Sequence, residues 1–141
     1  MDDPRLKRAL YRIPLGKYLR LGTVSPRELA LLYQEADFFV FPSLYEGFGL
    51  PVLEAQAARC PVICSSATSL PEVAGNSALM FDPRSPRQLL DRMEQLTNEE
   101  ERKRLVRLGE ENIRRFDWTQ TARKWLALAD EVYERGIRSN R

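Results

Sequence analysis

Three short apolar runs constrain this chain most. They are DFFVFPS (37–43), PVICSS (61–66) and ALMFD (78–82). Each is apolar without alternation and is bounded by a turn signal, as expected of a strand buried on both faces. The segments between and around them have helical spacing. In VSPRELALLYQEAD (24–37), Ser25 is the expected N-cap, Pro26 the first helical residue and Glu28 the third position of a capping box. Residues 50–58 are expected to form a helix rich in small residues, 69–77 a loop with one helical turn, and 86–96 and 98–115 two further helices. Residues 3–12 carry Leu6, Ala9 and Leu10 at helical spacing, and KYLRLG (17–22) is a fourth strand candidate. The last helix is expected to be capped at Thr119, to show one face with Trp125, Leu126, Ala129 and Val132, and to end at Gly136. Strands alternating with helices at this spacing predict an α/β fold on a parallel sheet, followed by a helical tail. The sequence shows no internal repeat, low-complexity segment or interdomain linker.

Composition narrows the function classes. With 141 residues, 43% of them hydrophobic, the chain can build one compact domain. There is no run of eighteen apolar residues, so no membrane span is expected, and charged residues 1–10 lack the apolar core of a secretion signal. Cys60 and Cys64 sit in a buried-strand context and fit a reducing cytoplasm rather than a disulfide framework. The absence of histidine removes histidine-based nucleophile activation and argues against a catalytic zinc site. Net charge is +2 with acids and bases interspersed, which reads as solvated helix faces and not as a nucleic-acid surface.

The stretch FPSLYEGFGLPVLEA (41–55) reads as a strand end, a glycine-bearing loop and a helix start. Ligands of open parallel sheets bind at such carboxyl ends. Gly47 and Gly49 permit close backbone approach. A helix opening near Leu50 and Pro51 offers amides and a positive dipole end to an anion. Carboxylates repel phosphate, so Glu46 and Glu54 suit hydroxyl donors instead. Glu54, one turn into the helix, can lean back toward the pocket. Phosphate flanked by two polyols describes a nucleotide sugar. Two other readings stay open on spacing alone: paired acids of a glycoside hydrolase, which does not need the glycine turn, and two unrelated surface glutamates.

ADFFVFPSLYEGFGLPVLEAQA closely resembles the signature of the family 4 glycosyltransferases of GT-B fold, with Glu46 and Glu54 as its Glu-x7-Glu element. PVICSSATSLPEVAG and ALMFDPRSPRQL resemble the next strand, loop and strand, GTVSPRELALLYQEAD the preceding unit, and FDWTQTA the start of a late helix; together the blocks cover residues 18–133. The resemblance implies a Rossmann-like sheet forming the later, partial C-terminal half of a GT-B fold, with residues 1–141 as a single incomplete domain. It implies transfer of a hexose from a nucleotide-diphosphate sugar with retention and without a bound metal or other cofactor. Glu46 would orient the donor sugar at the reaction centre. Backbone amides around Gly47, Phe48, Gly49 and Leu50 would hold sugar and diphosphate, Glu54 the ribose hydroxyls, and the loop near Val24 the base. The helix start would stabilise charge on the departing diphosphate.

The chain departs from the family in two respects, its coverage and one residue. It resembles only part of the donor half. The acceptor-binding half has no counterpart, and nothing here matches the Arg and Lys that the family places on the diphosphate. Turnover by the isolated chain is therefore not expected, unless another chain supplies the missing half. Arg59 also stands where the family often ends a helix with Gly; a left-handed backbone there would cost ~1–2 kcal/mol. Trp118, Trp125, Cys60 and Cys64 read as packing residues, Tyr45 as packing or ligand contact, and Ser65 and Ser66 as core or ligand contacts. The readings carried forward are an enzyme's donor region, a non-catalytic nucleotide-sugar module, and a folded remnant. The acceptor stays open among lipid, polysaccharide and small molecule. The location expected is cytoplasmic, with peripheral attachment at the inner membrane face left open.

Overall fold

All three apolar runs become strands. In the computed structural model, which describes residues 4–14 and 16–139, they are β1 (Phe39–Phe41), β2 (Val62–Ser65) and β3 (Leu79–Phe81). They pair in parallel in the order β1-β2-β3, with Val40 opposite Ile63 and Ile63 opposite Leu79. Central β2 is buried along its whole length. Its alternating side chains feed two cores, as the period of a strand requires. Val62 and Cys64 pack with Tyr33, Val52, Ala55 and Leu70 on one face. Ile63 packs with Phe81, Leu96 and Leu105 on the other.

The helices are α1 (Pro4–Leu10), α2 (Pro26–Glu35), α3 (Leu50–Ala57), α4 (Leu70–Ala74), α5 (Pro86–Gln95), α6 (Glu99–Ile113) and α7 (Trp118–Ser139). The α2 capping box forms as expected: Glu28 N–H donates to Ser25 Oγ at 3.3 Å, and Ser25 N–H to the Glu28 carboxylate at 2.7 Å. Ser85 caps α5 and Asn98 caps α6.

Helix α6 lies against α3 at Gly109, where a Cβ would come within 3.1 Å of Gln56 Cγ. The contact encloses a polar network. Gln56 Nε2 donates to Ser77 Oγ (2.7 Å), and Asn112 Nδ2 donates to Gln56 Oε1 and to the Val73 carbonyl (2.9 Å each). Arg115 in turn donates to Asn112 Oδ1 at 2.7 Å. Because each buried polar group has a partner, the network fixes α3 against α6 without an uncompensated desolvation cost.

Several expectations are corrected. KYLRLG is not a strand: residues 17–22 join no strand among the described residues, and Tyr18, Leu19 and Leu21 are exposed. A segment with no neighbouring strand has no ladder to satisfy its backbone. Helix α1 begins at Pro4; Asp3, the expected start, lies outside the described residues. Helix α7 begins at Trp118, with the Asp117 carboxylate accepting from Thr119 N–H at 2.7 Å, and runs through Gly136. Its apolar stripe does not pack: residues 117–135 are all exposed, Trp118 at 80% and Trp125 at 68%. These tryptophans are therefore not anchors of this core. Cys60 and Cys64 are core residues, free and buried. No helix among the described residues is long and apolar enough to cross a membrane.

Candidate functional site

The loops leaving the carboxyl ends of β1 and β2 meet over the start of α3. The first, residues 42–49, carries Glu46 and both glycines; the second spans residues 66–69. Gly49 is the N-cap of α3, with φ 111° and ψ 39°, a left-handed backbone that favours glycine. A Cβ there would fall 2.5 Å from Cδ2 of the fully buried Leu70. Gly47 differs: it lacks a positive φ, and a Cβ would meet no atom within 4 Å. The fold thus requires glycine at 49 but not at 47.

Helix α3 has no side-chain cap, unlike α2, α5 and α6. Pro51 brings no N–H, and Val52 N–H closes on the Gly49 carbonyl at 3.0 Å. The positive end of the helix dipole therefore lies beside the glycine loop with no side chain capping it, behind a buried Gly49 and an exposed Leu50. Glu46 is half-buried just before it, and Glu54 is exposed one turn inside. Among the described residues neither carboxylate joins an ion pair.

Glu54 stands between two grooves. One, of about 620 Å³, runs along Phe48, Leu50, Leu53, Phe116 and Trp118. The other, of about 410 Å³, runs along Pro26, Leu29, Ala30 and Tyr33. Phe48 is 44% exposed, and its ring meets Phe116 edge-on at 5.7 Å. Tyr33 is buried edge-on against Phe39 at 5.0 Å. Its hydroxyl pKa is raised, first by burial and then by the nearby Glu54 carboxylate. The structure thus brings Glu46, Gly47, Phe48, Gly49, Leu50 and Glu54 to one edge of the sheet. Val24 does not line the groove that Pro26 shares with Glu54; it is half-buried two residues upstream.

The loop at 66–69 supplies residues that pattern reading did not single out. Glu46 N–H donates to Thr68 Oγ1 at 3.0 Å. Ser69 Oγ donates to the Glu46 and Phe48 carbonyls at 3.1 and 2.8 Å. Ser65 is not available to a ligand: it is fully buried and donates to the Ser43 carbonyl at 2.5 Å. Tyr45 is 81% exposed and contributes no packing. The cluster of hydroxyls in SSATS at a strand end was the available signal. Thr68 adopts φ 51° and Arg59 φ 64°, left-handed conformations that cost a non-glycine residue ~1–2 kcal/mol each. At Arg59 the left-handed turn thus persists without glycine, and the guanidinium pairs with Glu110.

A family model described as glycosyl transferases, group 1, matches residues 7–115. The serotype-specific mannosyltransferase WbdA of Escherichia coli is 35% identical over 131 residues, 92% of this chain and 16% of that protein. Among solved structures, sucrose-phosphate synthase from Thermosynechococcus elongatus superposes with TM-score 0.79 at 26% identity, covering 93% of this chain and 34% of that one. The C-terminal domain of a glycosyl transferase group 1 family protein (LpcC) from Francisella tularensis gives TM-score 0.68 at 28% identity, over 78% of this chain and 59% of that one. The chain therefore spans about a sixth of the length of the mannosyltransferase it matches.

Proposed function

This chain belongs to the group 1 glycosyltransferases, and on that footing we propose that it is the donor-binding region of a retaining, family 4 enzyme of GT-B fold. It corresponds on this reading to the later part of the C-terminal half, and residues 1–141 form a single incomplete domain. The likeness to a solved C-terminal domain supports that placement. The observation that carries the reading is the side-chain-uncapped start of α3, opening between two carboxylates that no described cation neutralises.

The diphosphate of a nucleotide sugar lies at the amides around Gly47, Phe48, Gly49 and Leu50, where the helix dipole offsets its charge. Glu54 accepts from the ribose hydroxyls, and Glu46 accepts from the hydroxyls of the hexose and orients it at the reaction centre. Gly47, free of any steric demand from the fold, leaves room for the ligand. The base lies toward Val24 and the groove at Pro26. No metal is needed, because the helix start supplies the electrostatic stabilisation of the leaving diphosphate. The acceptor and its binding half come from outside these residues, so this chain alone does not turn over.

Calorimetric titration with UDP, GDP, ADP and their hexose conjugates tests the reading. Mannose conjugates come first, because a relative is named a mannosyltransferase. Saturable binding of one nucleotide series is expected, weakened about tenfold or more in Glu54→Ala, as loss of a charge-assisted hydrogen bond implies. A folded chain that binds none of them, or binds equally well without Glu54, contradicts it.

A further inference from the structure

Glu46 lies in a loop with neither a helix nor a strand ladder to hold it, yet both its backbone groups are engaged by one dipeptide. Resting on the donor-site reading above, we propose that Thr68 and Ser69 are positioning residues that set where Glu46 sits. Thr68 Oγ1 accepts from the Glu46 N–H at 3.0 Å, and Ser69 Oγ donates to its carbonyl at 3.1 Å and to that of Phe48 at 2.8 Å. Ser65 fixes the base of the same loop through the Ser43 carbonyl. Within the loop itself, the side-chain hydrogen bond is Ser43 Oγ to the Tyr45 carbonyl at 3.1 Å. Residues 46–48 are therefore held from outside, by the second loop.

Thr68 is an odd choice for that second loop on structural grounds alone. Its φ of 51° places a β-branched side chain in the left-handed region, where such residues are genuine outliers. It is exposed, so packing does not offset the strain. Glycine would adopt the conformation freely. The exposed methyl and the hydroxyl would be lost, and of the two it is the hydroxyl oxygen that holds the Glu46 amide. Strain retained for a hydrogen bond at a ligand loop is what a positioning role requires. Stability and donor binding should then respond to the residue at 68 in opposite directions.

The test compares Thr68→Gly and Thr68→Ser with the parent chain by three measurements: the melting midpoint, the amide exchange rate at Glu46 by NMR, and calorimetric affinity for the nucleotide sugars above. Thr68→Gly should melt no lower than the parent, yet exchange at Glu46 about tenfold faster and bind the donor several-fold more weakly, the scale of one lost hydrogen bond. Thr68→Ser, which keeps the hydroxyl, should restore Glu46 protection and affinity. Unchanged Glu46 exchange in Thr68→Gly would overturn the proposal. So would failure of Thr68→Ser to restore it, or a melting midpoint that falls in step with affinity. The exchange measurement needs no ligand: a parent chain that binds no nucleotide sugar sinks the donor-site reading, while Glu46 exchange still decides the role of Thr68.

Discussion

Replacing each glycine of the Glu46 loop by alanine should separate folding from binding. At Gly49 the added Cβ meets two penalties. The left-handed backbone costs an L-residue ~1–2 kcal/mol. The Cβ also sits 2.5 Å from Leu70 Cδ2, and although that atom is a side-chain tip, Leu70 is fully buried and its displacement must shift the core, an overpacking cost of ~1–3 kcal/mol. Together Gly49→Ala should lose about 2–5 kcal/mol, or roughly 6–20 °C of melting midpoint for a domain of this size. At Gly47 the Cβ enters open space at an ordinary φ, so Gly47→Ala should stay within about 0.5 kcal/mol of the parent. Yet on the proposed donor-site reading it fills space left for the diphosphate or sugar, so affinity for the nucleotide sugar should fall. Denaturant and thermal unfolding measure the first quantity, calorimetry the second. A Gly49→Ala protein as stable as the parent, or a Gly47→Ala protein that is markedly unstable, would refute the assignment of one glycine to the fold and the other to the ligand.

Three further outcomes are expected. Arg59→Gly relieves left-handed strain and loses an exposed ion pair with Glu110 worth ~0–1 kcal/mol, so it should raise stability by about 0.5–1 kcal/mol in denaturant titration. Asn112→Ala strips the donor from Gln56 Oε1 and from the Val73 carbonyl inside the α3–α6 contact, and should cost about 2–4 kcal/mol in the same assay. Burial pushes the Cys60 thiol up to about 11 and Cys64 up to about 12, from 9.0. Both folded-state values lie above the unfolded ones, so this stabilisation is complete below pH 9 and is lost as pH rises toward 12. The melting midpoint should be flat across pH 7–8.5 with respect to these groups and fall above 9, and both thiols should resist alkylation at pH 8 until the chain is unfolded.

The sheet was legible because short apolar runs without alternation show no polar side; burial along the whole strand holds for PVIC alone, while the outer strands in FFVF and ALMF are largely half-buried. The Ser25–Pro26–Glu28 start was legible because capping is local chemistry. KYLRLG misled because strand character depends on a partner, which no local pattern supplies. The stripe on α7 misled for the opposite reason: its periodicity is real, but amphipathicity does not name the surface that covers it, and residues 117–135 stay exposed here. At the site, Glu46, Gly49 and Glu54 could be placed because strand end, turn and helix start follow one another in the chain. The hold of Thr68 and Ser69 on Glu46 joins loops 22 and 23 residues apart, and the left-handed turn at Thr68 contradicts the preference of a β-branched residue. Neither can be read without the two strands side by side.

The most direct test of the proposed donor site is an amide chemical-shift titration of the labelled chain with UDP-, GDP- and ADP-hexoses. The account predicts that the amides of Gly47, Phe48, Gly49 and Leu50 shift first and saturate together with one nucleotide series. Shifts concentrated instead at the basic groove of Arg59, Arg102 and Arg107, at the opposite ends of the strands, or no saturable shift in a folded chain, would contradict it.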